Sequence, residues 1–186
     1  IDRLAYGALP GIAAAPAEDR AALLRSYAAI YLEEEVRREA ATVNLASFAR
    51  FLPLAAGESG QIVNYAALAR KTGLTGKTIQ SYYALLEDMF VGFSLPAFSG
   101  SVRQGVLSTP RFYLFDLGVR HAAAGLPPEP TLVQANPGPL LEQWVAIELW
   151  KRLGYLGEGR LSYFRTKTGV EVDLILEHRG RTIPIE

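Results

Sequence analysis

The chain has 186 residues, of which 49% are hydrophobic, and its 19 basic and 19 acidic side chains cancel at neutral pH. This is enough apolar material for one domain or two small ones, and it leaves no overall field to attract a nucleic acid. The sequence has no cysteine, which excludes disulfides and thiolate metal sites, and no apolar run approaches the ~18 residues of a membrane span. We therefore expect a cytoplasmic protein without a membrane partner.

The first 44 residues read as a lead-in followed by a long helix. Residues 1–16 contain two prolines and two glycines among small side chains, which predicts an irregular segment. Apolar residues then recur at steps of three and four from Leu23 to Val36, which predicts a helix from about Ala17 to Ala46. We assign residues 1–44 to this first unit.

Residues 45–125 are predicted to form a winged-helix module. A short helix up to Leu54 is expected to break at Pro53, and Asn64 and Thr75 are predicted to cap two helices separated by a turn at Gly73. Strand-like segments at 90–96 and 111–115 then enclose a wing. Such a module either reads DNA or serves as a protein-docking spacer. Its candidate nucleic-acid contacts are Arg70, Lys71, Lys77, Gln80 and Arg103.

The second half follows a proline-rich connection at 125–138. Asp116, before that connection, is predicted to cap a short helix, and the two histidines, His121 and His178, are expected to be solvated. An amphipathic helix from Leu140 to Leu153, ended by Gly154, carries two acids that compete for a functional role. They are Glu142 and Glu148.

The C-terminal part of the second half is predicted to form three strands, at 161–165, 171–176 and 182–186. Asp173 lies within an apolar strand and Glu186 ends the next one, so a hairpin at Gly180 would bring the two carboxylates onto neighbouring strands. Buried acids normally have a cationic partner, and hard oxygen ligands of this type suit Mg²⁺ or Mn²⁺. Glu171 is either a further ligand or the partner of a basic residue across the hairpin.

Three segments carry a family resemblance. They are Phe112-Tyr-Leu-Phe-Asp-Leu-Gly118, Leu140-Leu-Glu-Gln-Trp-Val145 and Tyr163-Phe-Arg-Thr-Lys-Thr-Gly-Val-Glu-Val-Asp173. Together they resemble the C-terminal region, a domain of unknown function, of a prokaryotic AAA+-type ATPase family. The arrangement of acids resembles the PD-(D/E)XK nuclease superfamily, which has the restriction-endonuclease-like fold.

The resemblance implies roles for individual residues. Glu142, Asp173 and Glu186 would correspond to the helical acid and the two strand acids that bind Mg²⁺ or Mn²⁺ and carry catalysis. Apart from the resemblance, the position of Lys167 and Arg165 next to these acids predicts that they contact a scissile phosphate, Lys167 in support of catalysis and Arg165 as a nucleic-acid contact. The alternative is a polar hairpin turn whose charge serves solubility. The nuclease pattern also has a lysine two residues after the position of Glu186, beyond the end of this sequence.

We therefore expect an α/β chain, α+β overall. An N-terminal helical and winged-helix module (1–44 and 45–125) would precede a restriction-endonuclease-like α/β domain (126–186) that is incomplete at its C-terminus. The first functional hypothesis is magnesium-dependent phosphodiester hydrolysis on DNA, with ATP bound only by an N-terminal ATPase module, because this chain has no phosphate-binding loop. The alternatives are a non-catalytic docking or oligomerisation adaptor, and a DNA-binding winged helix without hydrolysis.

Overall fold

The computed structural model describes residues 1–39, 44–98 and 108–186. Within them the predicted α+β fold is confirmed, since helices combine with two small antiparallel sheets. The helices are α1 (Asp2–Tyr6), α2 (Pro10–Ala13), α3 (Ala17–Ser26), which continues through a π-helical turn (Tyr27–Tyr31) into α4 (Leu32–Glu39), α5 (Leu45–Gly57), α6 (Tyr65–Thr72), α7 (Gly76–Asp88), α8 (Leu117–Ala123), α9 (Pro130–Ala135) and α10 (Pro137–Leu156). The strands are β1 (Gly92–Leu95), β2 (Arg111–Leu114), β3 (Arg160–Arg165), β4 (Glu171–His178) and β5 (Arg181–Ile185).

The predicted helix caps are confirmed. The side chains of Asn64, Thr75 and Asp116 accept hydrogen bonds from backbone N–H groups three residues later, at 2.9, 3.1 and 3.1 Å. Gly73 has a left-handed φ of 73° and ends α6. Because each cap satisfies donors that the helix itself cannot, these short polar residues fix where α6, α7 and α8 begin.

The predicted hairpin between β4 and β5 is also confirmed. Arg179 and Gly180 both have positive φ, 50° and 72°, and His178 pairs with Arg181 across them. Two consecutive left-handed residues make the tight two-residue turn whose twist suits antiparallel strands. The turn fixes the register, in which Leu174 pairs with Ile185.

The prediction of an irregular N-terminal lead-in was wrong, since α1 and α2 form there. Helix α1 is too short to be stable alone, and it is held by burial of Ala5, which is 0% exposed, against the second half of the chain. The predicted long helix begins at Ala17 as expected but changes to the π-helical turn at Tyr27. Residues 40–43 lie outside the described residues, but the prediction that the helix runs to Ala46 was wrong, since the extended Asn44 caps α5 and Ala46 belongs to that helix.

Two predicted helix ends were also wrong. Pro53 lies inside α5 and does not break it, because burial of neighbours such as Phe51 and Ala55 offsets the cost of about 3 kcal/mol for an interior proline. Gly154 lies inside α10, which ends instead at the left-handed Gly157. A glycine alone does not end a helix when the turn around it can continue.

The buried apolar side chains form two clusters in the described part of the chain, and the β1–β2 ribbon lies between them. Phe112 and Leu114 of β2 belong to the first cluster, with α5, α7 and α8, while Tyr113 belongs to the second, with α10, β3 and β4. Phe93 and Leu95 of β1 also face the second cluster. Since successive residues of a strand point to opposite faces, a single ribbon serves both cores.

Of the helices described, none is both long and apolar enough to cross a lipid bilayer.

The expectation of a solvated His121 was wrong. Its ring is 0% exposed, and its Nε2 donates to the Leu4 carbonyl oxygen, 2.9 Å away, while Nδ1 lies 3.2 Å from Nη1 of Arg120. Burial lowers the pKa of His121 from 6.5 to about 4, and the charge of Arg120 adds to this effect. The histidine therefore joins α1 to α8 in its neutral form.

This burial predicts a pH-dependent loss of stability. Between pH 6.5 and about 4 the unfolded chain takes up a proton on His121 and the folded chain does not. The free energy of unfolding should therefore fall by up to about 1.4 kcal/mol per pH unit in that window from this group alone, and not change from it above pH 6.5. Urea unfolding of wild type and His121→Gln at several pH values measures the difference. Parallel pH dependences of the two proteins would contradict it.

Candidate functional site

The side chain of Arg111, at the start of β2, lies at the centre of a group of carboxylates. Arg111 is 5% exposed, and its Nη1 lies 2.6 Å from Oε1 of Glu142. Its Nη2 lies 3.8 Å from Oδ1 of Asp173 and 3.9 Å from Oε2 of Glu171. We call these four residues the Arg111 cluster. A guanidinium, with five donors in a fixed plane, can serve several carboxylates at once.

Local structure explains how these side chains meet. Glu142 lies in the second turn of α10, which packs against β2 and β3. Glu171 and Asp173 are two residues apart on β4 and so share one face of the strand. Arg165 lies opposite Glu171 in the β3–β4 register and pairs with it at 3.2 Å. The sheet and the helix thus both direct their acids towards the ribbon.

Two tyrosines enclose the guanidinium. The centre of the Tyr163 ring lies 5.1 Å from Cζ of Arg111, a cation–π contact, and the Tyr163 hydroxyl donates to the carbonyl oxygen of Thr109. Tyr113 is fully buried, and neither its hydroxyl nor Nε of Arg111 has a hydrogen-bond partner among the described residues. Burial raises the pKa of Tyr113 to about 12, so this phenol stays protonated.

The charged groups of the cluster shift the pKa values of Arg111 and Glu142. Burial disfavours the charged form of Arg111, but the neighbouring Tyr113 oxygen, which is near the guanidinium without a well-formed hydrogen bond, and the carboxylates of Glu142 and Asp173 outweigh that effect and hold its pKa above the ordinary value. Burial raises the pKa of Glu142; Arg111 opposes this shift, and the nearby charge of Asp173 reinforces it. Arg111 is thus the cation that limits the rise in the pKa of Glu142.

The structure brings together two of the three acids predicted to share a cation. Glu142 and Asp173 both contact Arg111. Glu186 follows β5, and one further step of the register that pairs Leu174 with Ile185 puts it opposite Asp173. Glu186 is exposed, however, and makes no ion pair with another described residue.

Of the predicted basic residues, Arg165 contacts the Arg111 cluster through Glu171, and the others lie elsewhere. Lys167 is exposed in the turn between β3 and β4, and with Arg165 it lines an open cleft that faces the start of α6. Arg70, Lys77 and Gln80 are exposed on α6 and α7. Lys71 is also exposed, and its Nζ pairs with Glu58 at 2.8 Å. The remaining candidate contact, Arg103, lies outside the described residues, as does most of the predicted wing.

The arrangement described here does not fit a divalent metal ion. The guanidinium of Arg111 holds the position between Glu142 and Asp173 that a bridging ion would need. No group of three or more histidine or acidic side chains in the described ranges is placed to bind a metal. Binding of Mg²⁺ or Mn²⁺ stays a prediction of the resemblance alone.

Sequence reasoning missed Arg111. The signal that could have identified it is a charged residue at the start of the otherwise apolar strand Arg111-Phe-Tyr-Leu-Phe115. A cation in such a setting needs an anionic partner for the same reason that Asp173 needs a cationic one. The two residues are 62 positions apart, and nothing in their spacing links them.

Replacement of Arg111 should destabilise the protein strongly at neutral pH. Arg111→Met leaves Glu142 and Asp173 without their shared cation; because their side chains are 30% and 34% exposed, water replaces part of that interaction, and we expect a loss of about 1.5–3 kcal/mol. Urea unfolding at pH 7 measures this loss. Arg165→Met is the matched control, because its partly exposed pair with Glu171 should contribute no more than about 1 kcal/mol. Equal stabilities of the two variants would rule out a central role for Arg111.

Comparison with known proteins places the chain among uncharacterised families. Residues 1–130 match the model of a domain of unknown function, DUF8612, and residues 137–186 match a second one, DUF4143, which is commonly found with AAA-type ATPases. Uncharacterized proteins of Mycobacterium tuberculosis, Rv2008c, and of Mycobacterium bovis, Mb2031c, are each 27% identical to the chain over 180 residues. That alignment covers 97% of this chain but 40% of each relative.

No solved structure gives a significant match. Because the first family model covers well over half of the residues, the chain belongs to the DUF8612 family.

Proposed function

We propose that this chain is a non-hydrolytic C-terminal module of an AAA-type ATPase, in which the acids of a nuclease-like domain hold the module together instead of binding a metal. The match to DUF4143 supports the link to an ATPase. The limited coverage of the mycobacterial relatives leaves room in those proteins for a further domain. The partner of this chain is then the N-terminal ATPase module.

The observation that carries the proposal is the position of Arg111. A divalent ion could bind Glu142 and Asp173 only after displacing the guanidinium, whose Nη1 is 2.6 Å from Glu142. Displacement would leave Arg111, 5% exposed, as a buried cation without its partner, which is strongly unfavourable. The internal cation therefore competes with any metal.

The order of helices and strands supports two further parts of the proposal, a nuclease-like second half and a winged-helix first half. Helix α10 with Glu142, followed by the antiparallel sheet β3-β4-β5 with its acids, has the element order of the PD-(D/E)XK resemblance. The helices α5, α6 and α7, followed by the β1–β2 ribbon and the bridge from Ile62 to Arg111, have the order of a winged helix. The ribbon belongs to both cores, so a movement imposed on the first half would pass to the second.

The proposal predicts that manganese does not stabilise the protein through this cluster. Thermal melts of wild type, Asp173→Asn and the control Glu177→Gln, an acid on the same strand, are compared with and without Mn²⁺. A metal site would stabilise wild type by about 2.7 kcal/mol at 100 times its dissociation constant, and Asp173→Asn would abolish that gain. We expect the same response from all three proteins. Manganese stabilisation that is lost only in Asp173→Asn would favour hydrolysis over the proposed role.

DNA binding by the first half is the second candidate. The helix–turn–helix formed by α6 and α7 exposes Arg70 and Lys77, which have no ion-pair partner in the described part of the chain, and it also exposes Gln80. Basic side chains at this position would contact phosphates, and glutamine can read an adenine edge. An oligomerisation role has no comparable observation behind it.

A salt titration tests the second candidate. If Lys77 contacts a phosphate, Lys77→Ala should lower the slope of log affinity against log salt concentration for duplex DNA by about one unit. Lys151→Ala, on α10, is the control, because its side chain lies on a different element and should leave the slope unchanged. Fluorescence anisotropy with a labelled duplex gives both slopes. Equal slopes for the two variants would exclude α7 as the DNA contact.

A further inference from the structure

The two sheets join at one point and then separate. Strands β1 and β3 run parallel and meet at Ala97 and Tyr163. The N–H of Tyr163 donates to the Pro96 carbonyl oxygen at 3.0 Å, and the N–H of Phe98 donates to the Tyr163 carbonyl oxygen at 2.7 Å. The next bond of a parallel ladder would need an N–H at residue 96. Since Pro96 has none, the ladder stops there and leaves a fork between β1 and β3.

On both strands, backbone N–H and C=O groups that face the fork have no hydrogen-bond partner among the described residues. Ser94 and Leu161 precede Pro96 and Tyr163 by two residues. In extended strands their N–H and C=O groups therefore point to the same side as the Pro96 carbonyl and the N–H and C=O of Tyr163, into the fork. Neither residue has a backbone hydrogen bond across the fork among the described residues. Leu161 is 8% exposed, and buried backbone groups are nearly always paired. The fork therefore lacks hydrogen-bond partners on both sides.

An apolar groove of 580 Å³ opens from this fork. Leu95 and Leu161 line it from the strands, and Trp150 and Leu153 line it from the last turns of α10. The Trp150 ring stacks on Phe93 with centroids 4.3 Å apart and planes nearly parallel, at 2°, so this wall is firmly packed. The volume lies within the usual range for a ligand site.

The charges at the rim are already balanced. Lys151 pairs with Glu148 at 3.9 Å, and Glu158 pairs with Arg179 at 2.9 Å. The groove therefore offers no spare charge to an ionic ligand, and it suits an uncharged, apolar one. Unpaired strand edges with an apolar pocket beside them are the features that bind extended peptides by strand addition.

We propose that the fork between β1 and β3 binds an extended, uncharged peptide segment of another protein. The peptide pairs its backbone with Ser94 and Leu161, continuing the ladder that Pro96 interrupts, and packs an apolar side chain against Trp150 and Leu153. The site is separate from the Arg111 cluster and does not depend on the ATPase assignment.

Selection from a random heptapeptide phage library against the wild-type chain tests the site, followed by synthesis of the enriched peptide. Ser94→Pro removes one N–H that faces the fork and should leave the β1–β2 pairing intact. The N–H of Phe115 donates to the Val91 carbonyl oxygen, and in an antiparallel pair the hydrogen-bonded positions alternate, which assigns Phe93 and Leu95 to that pairing. We expect about a tenfold loss of affinity, with Ser94→Ala unchanged. Quenching or enhancement of Trp150 fluorescence reports binding.

A second variant fills the groove without touching the strands. Gly154 lines the groove, and a Cβ there would meet no atom within 4 Å, so Gly154→Leu should fold and block the peptide. Gly138→Leu, at another open position of α10, is the matched control and should bind normally. If no peptide is enriched on the wild-type protein relative to the Gly154→Leu variant, the proposal is overturned. Equal affinity for Ser94→Pro and Ser94→Ala, or for the peptide and its N-methylated form, shows contact without strand pairing and also overturns it.

Discussion

One buried guanidinium connects acids from separate parts of this fold. Arg111 comes from the ribbon, Glu142 from α10 and Asp173 from β4, so the ion pairs connect three elements that are distant in sequence. Only the guanidinium is deeply buried, since the side chains of Glu142 and Asp173 are 30% and 34% exposed. Loss of a carboxylate partner is therefore costly because it leaves a buried cation unpaired. Stability and the proposed absence of a metal therefore have the same physical cause.

The ribbon that carries Arg111 also packs the two halves of the chain against each other. Its alternating side chains give Phe112 to one core and Tyr113 to the other. Helix α1 adds a second connection, because Ala5 is buried with the second half while Nε2 of His121, in the first half, donates to the carbonyl oxygen of Leu4. The proline-rich connection at 125–138 predicts a domain boundary from the sequence. In the structure, however, side chains from before this connection pack with side chains from after it.

Local sequence features gave correct predictions where short-range chemistry decides the structure. Asn64, Thr75 and Asp116 cap helices because their side chains reach N–H groups three residues away, and Gly180 forms the hairpin because it tolerates positive φ. The same local reasoning failed at Pro53, where burial of a whole helix face outweighs one unfavourable residue.

The sequence by itself predicted a cationic partner for Asp173, because a carboxylate within an apolar strand is costly to bury alone. It also determined the strands and turn that put Glu186 near it. Only the tertiary structure decided that the cation is Arg111, since that choice depends on which distant side chain the ribbon delivers to the cluster. Contacts between residues 62 positions apart follow from how helices and sheets pack, and no local pattern encodes that packing.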